Sequence, residues 1–134
     1  MRSTQIVTSF IKNNERLLIL KRSDKVKTMK GLWAGISGII EKNEDPLHRA
    51  KVEIFEEVGI TDNQITLVKS SKRMKVDSPQ YVNHEWEIFP FLFESNNPTI
   101  TLNWENSDFK WIKVEELKDY ETVPGLQKVL FNLL

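Results

Sequence analysis

The sequence predicts one α+β domain that spans residues 1–134. Short apolar runs separated by turn signals are typical of β-strands. A segment over residues 46–58 instead shows helical spacing of its apolar side chains, with clear start and stop signals. The chain contains no internal repeat, low-complexity tract or interdomain linker. Together these observations predict a domain in which a β-sheet packs against helices.

The first half of the chain begins with two predicted strands, over residues 5–11 and 16–21. The dipeptide Asn13-Asn14 is a tight-turn signal that joins them. The run LLIL in the second strand is apolar throughout, which predicts a central strand. A third strand is predicted over residues 33–40, where Gly35 and Gly38 permit unusual backbone geometry.

The helix predicted over residues 46–58 has the clearest boundaries. Asp45 is a suitable N-cap, Pro46 fits the first helical position, and Gly59 fits the left-handed position after the helix. Apolar residues at near-helical spacing form the face that should pack on the sheet: Leu47, Ala50, Ile54 and Val58.

The second half of the chain is predicted to add further strands and a closing helix. Two strands are predicted over residues 64–70 and 82–93, separated by the polar loop SSKRMKVDSPQ. Shorter strands are predicted over residues 99–102 and 109–113, and a brief helix over 114–117. A last helix is predicted from Pro124 to Leu134, with these residues as its apolar face: Leu126, Val129, Leu130 and Leu133.

Three glutamates, Glu53, Glu56 and Glu57, share one face of the predicted helix near its C-terminal end. The helix dipole is negative there, so each Glu costs roughly 0.3–1 kcal/mol. Residues that lower the stability of the local structure are expected at functional sites. A bound Mg²⁺ is the simplest compensation, because it takes one or two carboxylates and leaves its other positions to water and substrate phosphates. The alternative is an acidic, solvated helix face; an EF-hand loop is disfavoured because these carboxylates lie on a helix.

Charge is segregated along the chain although the net charge is zero. Residues 21–30 hold five basic residues against one Asp, and residues 41–57 contain the acidic cluster. A basic loop near an acidic helix suits a metal-bound polyphosphate, with cations for the phosphates and carboxylates for the metal. A solvated loop is the alternative for the basic run. A neutral chain without a long basic face argues against nucleic acid as the main partner.

Composition excludes several classes of site. The chain has no cysteine, which excludes disulfides, thiolate metal sites and cysteine nucleophiles. Its two histidines are too few for a histidine metal cluster. No segment approaches the roughly 20 apolar residues of a membrane span, and the N-terminal residues lack a signal-peptide core. We therefore expect a cytoplasmic protein without a membrane partner.

The segment over residues 38–60 resembles the Nudix box, G-x5-E-x7-R-E-U-x-E-E-x-G-U, where U is a bulky aliphatic residue. The matching positions are Gly38, Glu44, Glu53, Ile54, Glu56, Glu57, Gly59 and Ile60. Val52 stands where the box has Arg. Before the box, Ile36 and Ser37 stand where the family often has Pro and Gly. The order of elements is also similar to that of the Nudix fold, so the resemblance implies a mixed β-sheet sandwiched between helices.

The resemblance to MutT-like Nudix hydrolases implies a Mg²⁺-dependent pyrophosphohydrolase, with Mn²⁺ as a substitute metal. It implies cleavage of the diphosphate linkage of a nucleoside triphosphate or another nucleoside diphosphate derivative. Glu57 or Glu56 is the candidate general base and Glu53 is mainly a metal ligand. The implied metal-binding set is Glu53, Glu56, Glu57 and Gly38.

Further residues are candidates for substrate contact. Arg22 ends the second strand, where Nudix enzymes often place an Arg that contacts phosphate, and its fork of donors suits phosphate oxygens. A sheet-end salt bridge is the alternative for Arg22. Lys30 is a second candidate for phosphate contact. Trp33 and Trp104 are candidates for stacking on a nucleobase, with core packing as the alternative for each.

Other acidic residues are candidates for acid–base or metal roles. Glu105 precedes a predicted strand, and many Nudix chains carry a late acidic residue in such a loop. An ordinary surface Glu is the alternative. Glu44 and Glu41 are the remaining candidates for the same roles.

The replacement of the box Arg by Val52 raises the question of what orients the helix glutamates. Arg49 lies one turn before Glu53, and an i, i+4 pair is within reach. We therefore expect Arg49 to take over part of the orienting role, with a weak surface ion pair as the alternative.

Val52 also favours a rival function, a non-catalytic Nudix-fold module that binds or senses a nucleotide. The three retained glutamates argue against that function. A prenyl diphosphate isomerase is disfavoured because the chain lacks a Cys nucleophile and a metal-binding set of histidines. The expected partner is a nucleotide-type small molecule, and the sequence leaves monomer and homodimer open.

Overall fold

The computed structural model describes residues 2–77 and 83–134. Within these ranges the strands are β1 (Arg2–Asn13), β2 (Arg16–Arg22), β3 (Trp33–Ala34), β4 (Ile36–Ile39), β5 (Ile65–Ser70), β6 (Met74–Asp77), β7 (His84–Ser95) and β8 (Asn106–Ile112). The α-helices are α1 (Pro46–Val58) and α2 (Leu126–Phe131), and short 3₁₀ helices cover Asp62–Gln64 and Val114–Asp119.

The described strands form one mixed sheet, in which the main path runs β3-β2-β1-β7-β5. β1 and β7 are parallel along almost their whole lengths, from Arg2 opposite His84 to Lys12 opposite Glu94. The remaining pairings are antiparallel, with β4 on β1, β6 on β7 and β8 on β2. The parallel pair at the centre places strands from the two halves of the chain side by side.

The two faces of the sheet carry separate apolar cores because successive side chains on a strand point to opposite faces. On β1, Val7 and Ile11 belong to the core that includes Ala50, Ile54 and Val58 of α1. Phe10 belongs to the other core, which includes the apolar face predicted for the last helix: Leu126, Val129, Leu130 and Leu133. The sheet therefore lies between helices, and the predicted α+β architecture is confirmed.

Helix α1 has the predicted bounds, Pro46–Val58. Pro46 lies in the first turn, where its missing N–H costs no helical hydrogen bond. Gly59 follows with φ of 78° and donates its N–H to the Phe55 carbonyl oxygen at 3.0 Å. Asp45 occupies the N-cap position, although its side chain makes no capping hydrogen bond.

The first three predicted strands are confirmed with shifted limits. The strand predicted over residues 33–40 divides into β3 and β4 at Gly35, where a Cβ atom would lie 2.9 Å from the Ser9 carbonyl oxygen. The turn between β1 and β2 uses Asn14, with φ of 55°, and lies between the paired residues Asn13 and Arg16. The run LLIL is buried, with β1 on one side of β2 and β8 on the other.

Three predictions for the second half are wrong. The loop predicted between residues 70 and 82 contains β6, which has only four residues, two of them charged, and forms because β7 is available to pair with it. Residues 99–102 are not a strand. The last helix is shorter than predicted, because it begins after Gly125, whose φ of 80° is incompatible with the helix. Val82, the predicted start of one strand, lies outside the described residues.

Strand β8 begins at Asn106, three residues before its predicted start. The described part of the chain contains no helix that is both long and apolar enough to cross a membrane.

Candidate active site

A cavity of about 510 Å³ opens between the sheet and α2, and one end of it is polar. Its apolar walls come from β1, β4, β6, β7 and the region of α2, including Ile6, Ile39, Val76, Trp86, Ile88, Val123, Leu126 and Val129. Its polar end includes Arg22, Gly38, Glu53 and Glu105. The cavity therefore places several of the predicted site residues beside a large apolar chamber.

Glu53 reaches the cavity because Gly38 has no side chain. A Cβ atom built on Gly38 would lie 2.2 Å from Cδ of Glu53 and 2.7 Å from its Oε1. Real Cβ atoms do not approach other atoms so closely, so any larger residue at this position would displace the carboxylate. The Glu53 side chain therefore lies directly against the backbone of Gly38 on β4.

Arg49 holds Glu53 and Glu44 at once. Its Nη1 donates to Oε2 of Glu53 at 3.0 Å, and its Nε and Nη2 donate to the two oxygens of Glu44 at 2.7 and 2.8 Å. Glu41 lies 3.6 Å from the same guanidinium at an exposed position. The Arg49, Glu44 and Glu53 side chains are 10–13% exposed, so this network differs from a solvated surface pair.

The hydrogen bonds from Arg49 favour the charged forms of both partner carboxylates. The hydrogen bonds from Arg49 hold the pKa of Glu44 below its ordinary value. The two carboxylates in turn raise the pKa of Arg49, with Glu44 as the larger contributor. Arg49 therefore stays charged and oriented, and both carboxylates accept from a fixed fork of donors.

Glu57 lies deeper than Glu53 and contacts a residue that sequence reasoning missed. Glu57 is only 3% exposed, and its Oε1 accepts a hydrogen bond of 3.2 Å from Nδ2 of Asn106. Its Oε2 is buried and has no hydrogen-bond partner. The only signal for Asn106 in the sequence is its position directly after Glu105, at what proves to be the start of β8.

Burial raises the pKa of both inward-facing glutamates. For Glu57 burial is the main cause, and the charges of Glu105 and Glu53 raise its pKa further, well above its ordinary value. For Glu53 burial is again the main cause, but the hydrogen bond from Arg49 opposes the rise in pKa. Burial and mutual repulsion thus disfavour the charged forms of both carboxyl groups, and a nearby cation would favour those forms.

Arg22 faces the same group of carboxylates from the end of β2. Its Nε and Nη2 donate to the carbonyl oxygen of Thr28 at 3.2 and 3.0 Å. Burial lowers the pKa of Arg22, and the charges of Glu57 and Glu105 oppose that change. Thr28 and Met29 also line the cavity, and Met29 has a φ of 56°, which is strained for a bulky residue.

The structure does not bring every predicted site residue to the cavity. Glu56 is exposed and does not line the cavity, although its charge acts on Glu53 one turn earlier on α1, and Lys30 is exposed in the basic loop and does not line the cavity. Trp33 does not line the cavity, since it is 8% exposed and packs edge-on against Tyr120 with ring centroids 5.2 Å apart, which favours the core-packing alternative. Trp104, in contrast, is 60% exposed and lines the cavity.

The chemistry of the site fits a divalent cation. Two buried carboxylates lie close together, and one carboxylate oxygen of Glu57 lacks a partner. In residues 2–77 and 83–134, no three His, Cys, Asp or Glu side chains are close enough to hold a metal by themselves. Mg²⁺ needs only one or two carboxylates from the protein because water and substrate phosphates complete its coordination.

A sequence profile described as "NUDIX domain" matches residues 2–133 of this chain. Nucleoside triphosphatase NudI of Escherichia fergusonii is 30% identical over 136 residues, which cover 97% of this chain and 96% of the relative. Dihydroneopterin triphosphate diphosphatase of Haemophilus influenzae is 28% identical over 151 residues, which cover 96% of this chain and 87% of the relative.

Among solved structures, an Ap4A hydrolase of C. elegans in a binary complex superposes with a TM-score of 0.79. The superposition covers 96% of this chain and 93% of the hydrolase chain, at 19% sequence identity. At that identity the similarity shows a shared fold.

Proposed function

Because this chain belongs to the NUDIX family and is a hydrolase of phosphoric anhydride bonds, we propose that it cleaves nucleoside triphosphates, or a closely related nucleoside diphosphate derivative, with Mg²⁺. The observation that carries this proposal is a pair of neighbouring buried glutamates, of which Glu53 lines the polar end of the cavity and Glu57 lies deeper beside it. One member of the pair, Glu57, has an unpartnered oxygen. The apolar part of the cavity then offers room for the base.

The substrate class is supported by two relatives that match nearly the whole chain. Their names give a nucleoside triphosphate and dihydroneopterin triphosphate as substrates, and each compound joins a planar heterocycle to a triphosphate. The cavity has a matching division, because its polar end contains Arg22 and the carboxylates whereas its remaining walls are mainly apolar. We place the triphosphate at the polar end and the heterocycle against the apolar walls.

Enzymes of this family generally use divalent metal ions. We assign the metal contacts to Glu53 and Glu57, because both are buried and their carboxyl groups are neighbours. Gly38 contributes its backbone and leaves space for the Glu53 carboxylate. When bound there, Mg²⁺ supplies charge neutralisation for the phosphates and acidifies a water molecule.

We assign the general base to Glu105 rather than to Glu57 or Glu56. Glu105 is half-buried and lines the cavity, so it can reach a water molecule beside the substrate. Glu57 already accepts from Asn106 and is assigned to the metal, and Glu56 is exposed and does not line the cavity. In the proposed reaction Glu105 takes a proton from the water that attacks phosphorus, and the broken anhydride bond leaves a phosphate or pyrophosphate product.

Arg22 is the proposed phosphate contact. Two of its donor nitrogens hold the Thr28 carbonyl oxygen, and its third nitrogen, Nη1, is left for the substrate. A guanidinium fixed in this way presents donors to a phosphate oxygen with little loss of side-chain entropy.

The proposal is tested by phosphate and pyrophosphate release from a panel of nucleoside triphosphates, dihydroneopterin triphosphate, ADP-ribose and dinucleotides, with Mg²⁺. The unmodified protein, Glu57→Gln and Glu105→Gln are compared, and binding of Mn²⁺ to each nucleotide-free protein is measured separately. We expect both variants to lose about 10²–10⁴ in turnover. Glu57→Gln should also lose Mn²⁺ affinity, whereas Glu105→Gln should keep it.

Different outcomes overturn different parts of the proposal. A loss of less than about tenfold in Glu105→Gln would reassign the base. Absence of turnover on every compound, with nucleotide binding still detected by thermal shift, would overturn the proposed reaction.

A further inference from the structure

Asn106 is a buried polar residue at the first position of β8. It is 8% exposed, and its side-chain Nδ2 lies 3.2 Å from Oε1 of Glu57, which is 3% exposed. A buried amide costs free energy unless it is hydrogen-bonded, and a buried carboxylate costs more. The two side chains therefore depend on each other in this position.

The two oxygens of Glu57 have different surroundings. Oε1 accepts the hydrogen bond from Asn106, whereas Oε2 is buried without a hydrogen-bond partner. A carboxylate held at one oxygen can no longer rotate freely to present either oxygen. The bond from Asn106 thus decides which oxygen of Glu57 is available to a cation.

Asn106 is itself fixed by the loop that precedes β8. Its backbone N–H donates to the Asn103 carbonyl oxygen at 3.4 Å, and the N–H of Glu105 donates to Oδ1 of Asn103 at 3.1 Å. Ser23, at the end of β2, donates its N–H to the Glu105 carbonyl oxygen at 2.9 Å and its Oγ to that of Trp104 at 2.7 Å. These hydrogen bonds anchor the loop to the sheet. They therefore fix the position of Asn106 relative to Glu57 on α1.

We propose that Asn106 is a positioning residue that holds Oε1 of Glu57 so that Oε2 is presented to the divalent cation. The inference rests on the proposed function, because that function assigns Glu57 to the metal. Asn106 touches neither substrate nor metal in this scheme, and it acts only through Glu57. It also joins the loop that carries Glu105 to the helix that carries the metal ligands.

The test measures Mn²⁺ binding to the nucleotide-free protein by the EPR signal of the free ion, together with kcat and KM under Mg²⁺. Asn106→Leu keeps nearly the same shape without the donor, and Asn106→Ala removes the donor without crowding. Loss of a hydrogen bond behind a metal ligand typically costs about 10–100-fold in metal affinity or activity. We expect that loss in the Mn²⁺ dissociation constant and in kcat for both variants, with KM for the nucleotide changed by less than about threefold.

Asn106→Gln provides the rescue because it retains an amide donor. We expect its Mn²⁺ dissociation constant to lie between that of the unmodified protein and that of Asn106→Leu. The matched control is Asn13→Ala, which removes another half-buried amide whose Nδ2 donates to the Ser95 carbonyl oxygen at 2.7 Å. Asn13 lies six residues beyond Val7, the partner of Gly38 on β1, which is about 20 Å along the strand, so its loss should not change Mn²⁺ binding.

The result that overturns the inference is Mn²⁺ binding and kcat within about twofold of the unmodified protein in both Asn106→Leu and Asn106→Ala. Thermal unfolding in EDTA shows whether each variant is folded. If Asn106→Leu does not fold, the Mn²⁺ binding and kcat of Asn106→Ala alone test the inference. Failure of the unmodified protein to bind Mn²⁺ would overturn the proposed function and this inference with it. Equal binding by the unmodified protein and the variants would overturn this inference alone.

Discussion

At the scale of the residue, the surroundings of Glu57 are the main support for the proposed metal site. Its carboxylate is buried, has one amide donor and faces the charges of Glu53 and Glu105. A stable protein without a ligand would not need such a group, because an uncompensated buried charge is costly. In the proposed function a bound cation would supply the missing partner and offset this cost.

The raised pKa of Glu57 predicts how stability without metal depends on pH. An unfolded Glu has a pKa of about 4.3, and burial raises the pKa of Glu57 in the folded protein. Between the two values the folded state binds more protons, so the Glu57 contribution to the free energy of unfolding falls as pH rises. In EDTA, Glu57→Gln should therefore be more stable than the unmodified protein by about 1–3 kcal/mol at pH 8.

The difference between the two proteins should shrink as the pH falls through the raised pKa of Glu57, because Glu57 is then protonated in the folded state. Urea unfolding at several pH values measures it. A difference that stays constant from pH 5 to pH 8 would contradict the role assigned to Glu57 burial. Addition of Mn²⁺ at pH 8 should stabilise the unmodified protein and leave Glu57→Gln nearly unchanged.

Arg49 is the second residue with a testable local role. Arg49→Met removes donors from Glu44 and Glu53 together, and we expect turnover and Mn²⁺ affinity to fall by about 10–100-fold. Arg49→Lys should be intermediate, because an ammonium keeps the charge but not the fork that bridges the two carboxylates. Steady-state kinetics and Mn²⁺ titration measure these effects.

The control for Arg49 lies on the same helix. Lys51 pairs with Asp62 at 2.9 Å in an exposed position, so Lys51→Met should cost under about 1 kcal/mol and leave metal affinity unchanged. If Arg49→Met also left turnover and metal affinity unchanged, Arg49 would be an ordinary ion pair without an orienting role.

At the scale of elements, the site depends on how closely β4 approaches α1. Gly38 makes this approach possible, because a Cβ atom there would lie 2.2 Å from Cδ of Glu53. The pairing of β4 with β1 fixes Gly38 opposite Val7, and Val7 shares a core with the buried face of α1. The position of the Glu53 carboxylate is therefore set jointly by a strand pairing and a helix packing.

Gly38→Ala should displace the Glu53 carboxylate. We expect a stability loss of about 1–3 kcal/mol from overpacking, together with loss of Mn²⁺ binding. Gly31→Ala is the control, since it has a φ of 76° but no atom within 4 Å of its Cβ position. It should lose about 1 kcal/mol through backbone strain and keep its Mn²⁺ affinity. Thermal unfolding and Mn²⁺ titration compare the two variants. Retained Mn²⁺ binding in Gly38→Ala would contradict the idea that Gly38 leaves the space needed by the Glu53 carboxylate.

At the scale of the molecule, the two apolar cores support different parts of the candidate site. The core beneath α1 fixes the helix that carries Glu53 and Glu57, the proposed metal ligands. The core beneath α2 fixes Leu126 and Val129, which form part of the cavity wall. Weakening the second core should therefore alter stability and substrate binding more than metal binding.

Leu130→Ala tests this division, because Leu130 is fully buried in the core beneath α2. We expect it to lower the free energy of unfolding by about 2–5 kcal/mol, while Mn²⁺ affinity at a temperature where the variant is folded stays unchanged. Phe131→Ala, at the neighbouring 62% exposed position, should change stability by less than about 0.5 kcal/mol. Similar losses in the two variants, measured by urea unfolding, would contradict the packing of α2.

Local patterns in the sequence were sufficient for several parts of the structure. The bounds of α1 follow from Pro46, Gly59 and the apolar spacing between them, because helix signals act over a few residues. The apolar face of the last helix follows from the same periodicity. In contrast, β6 could not be predicted, because its four residues become a strand through pairing with the distant β7.

The sequence by itself determined that three glutamates lie on one helix, that an Arg is within one turn of Glu53, and that the layout is of the Nudix type. Only the tertiary structure decided that Glu53 and Glu57 are buried while Glu56 is exposed, that Arg49 bridges Glu44 and Glu53, and that Trp33 is a core residue. Only the tertiary structure joined Asn106 to Glu57, across 49 residues of chain. The physical reason is that helical spacing fixes which side chains are neighbours within an element, whereas burial, charge state and contacts between elements depend on how the sheet brings distant segments together.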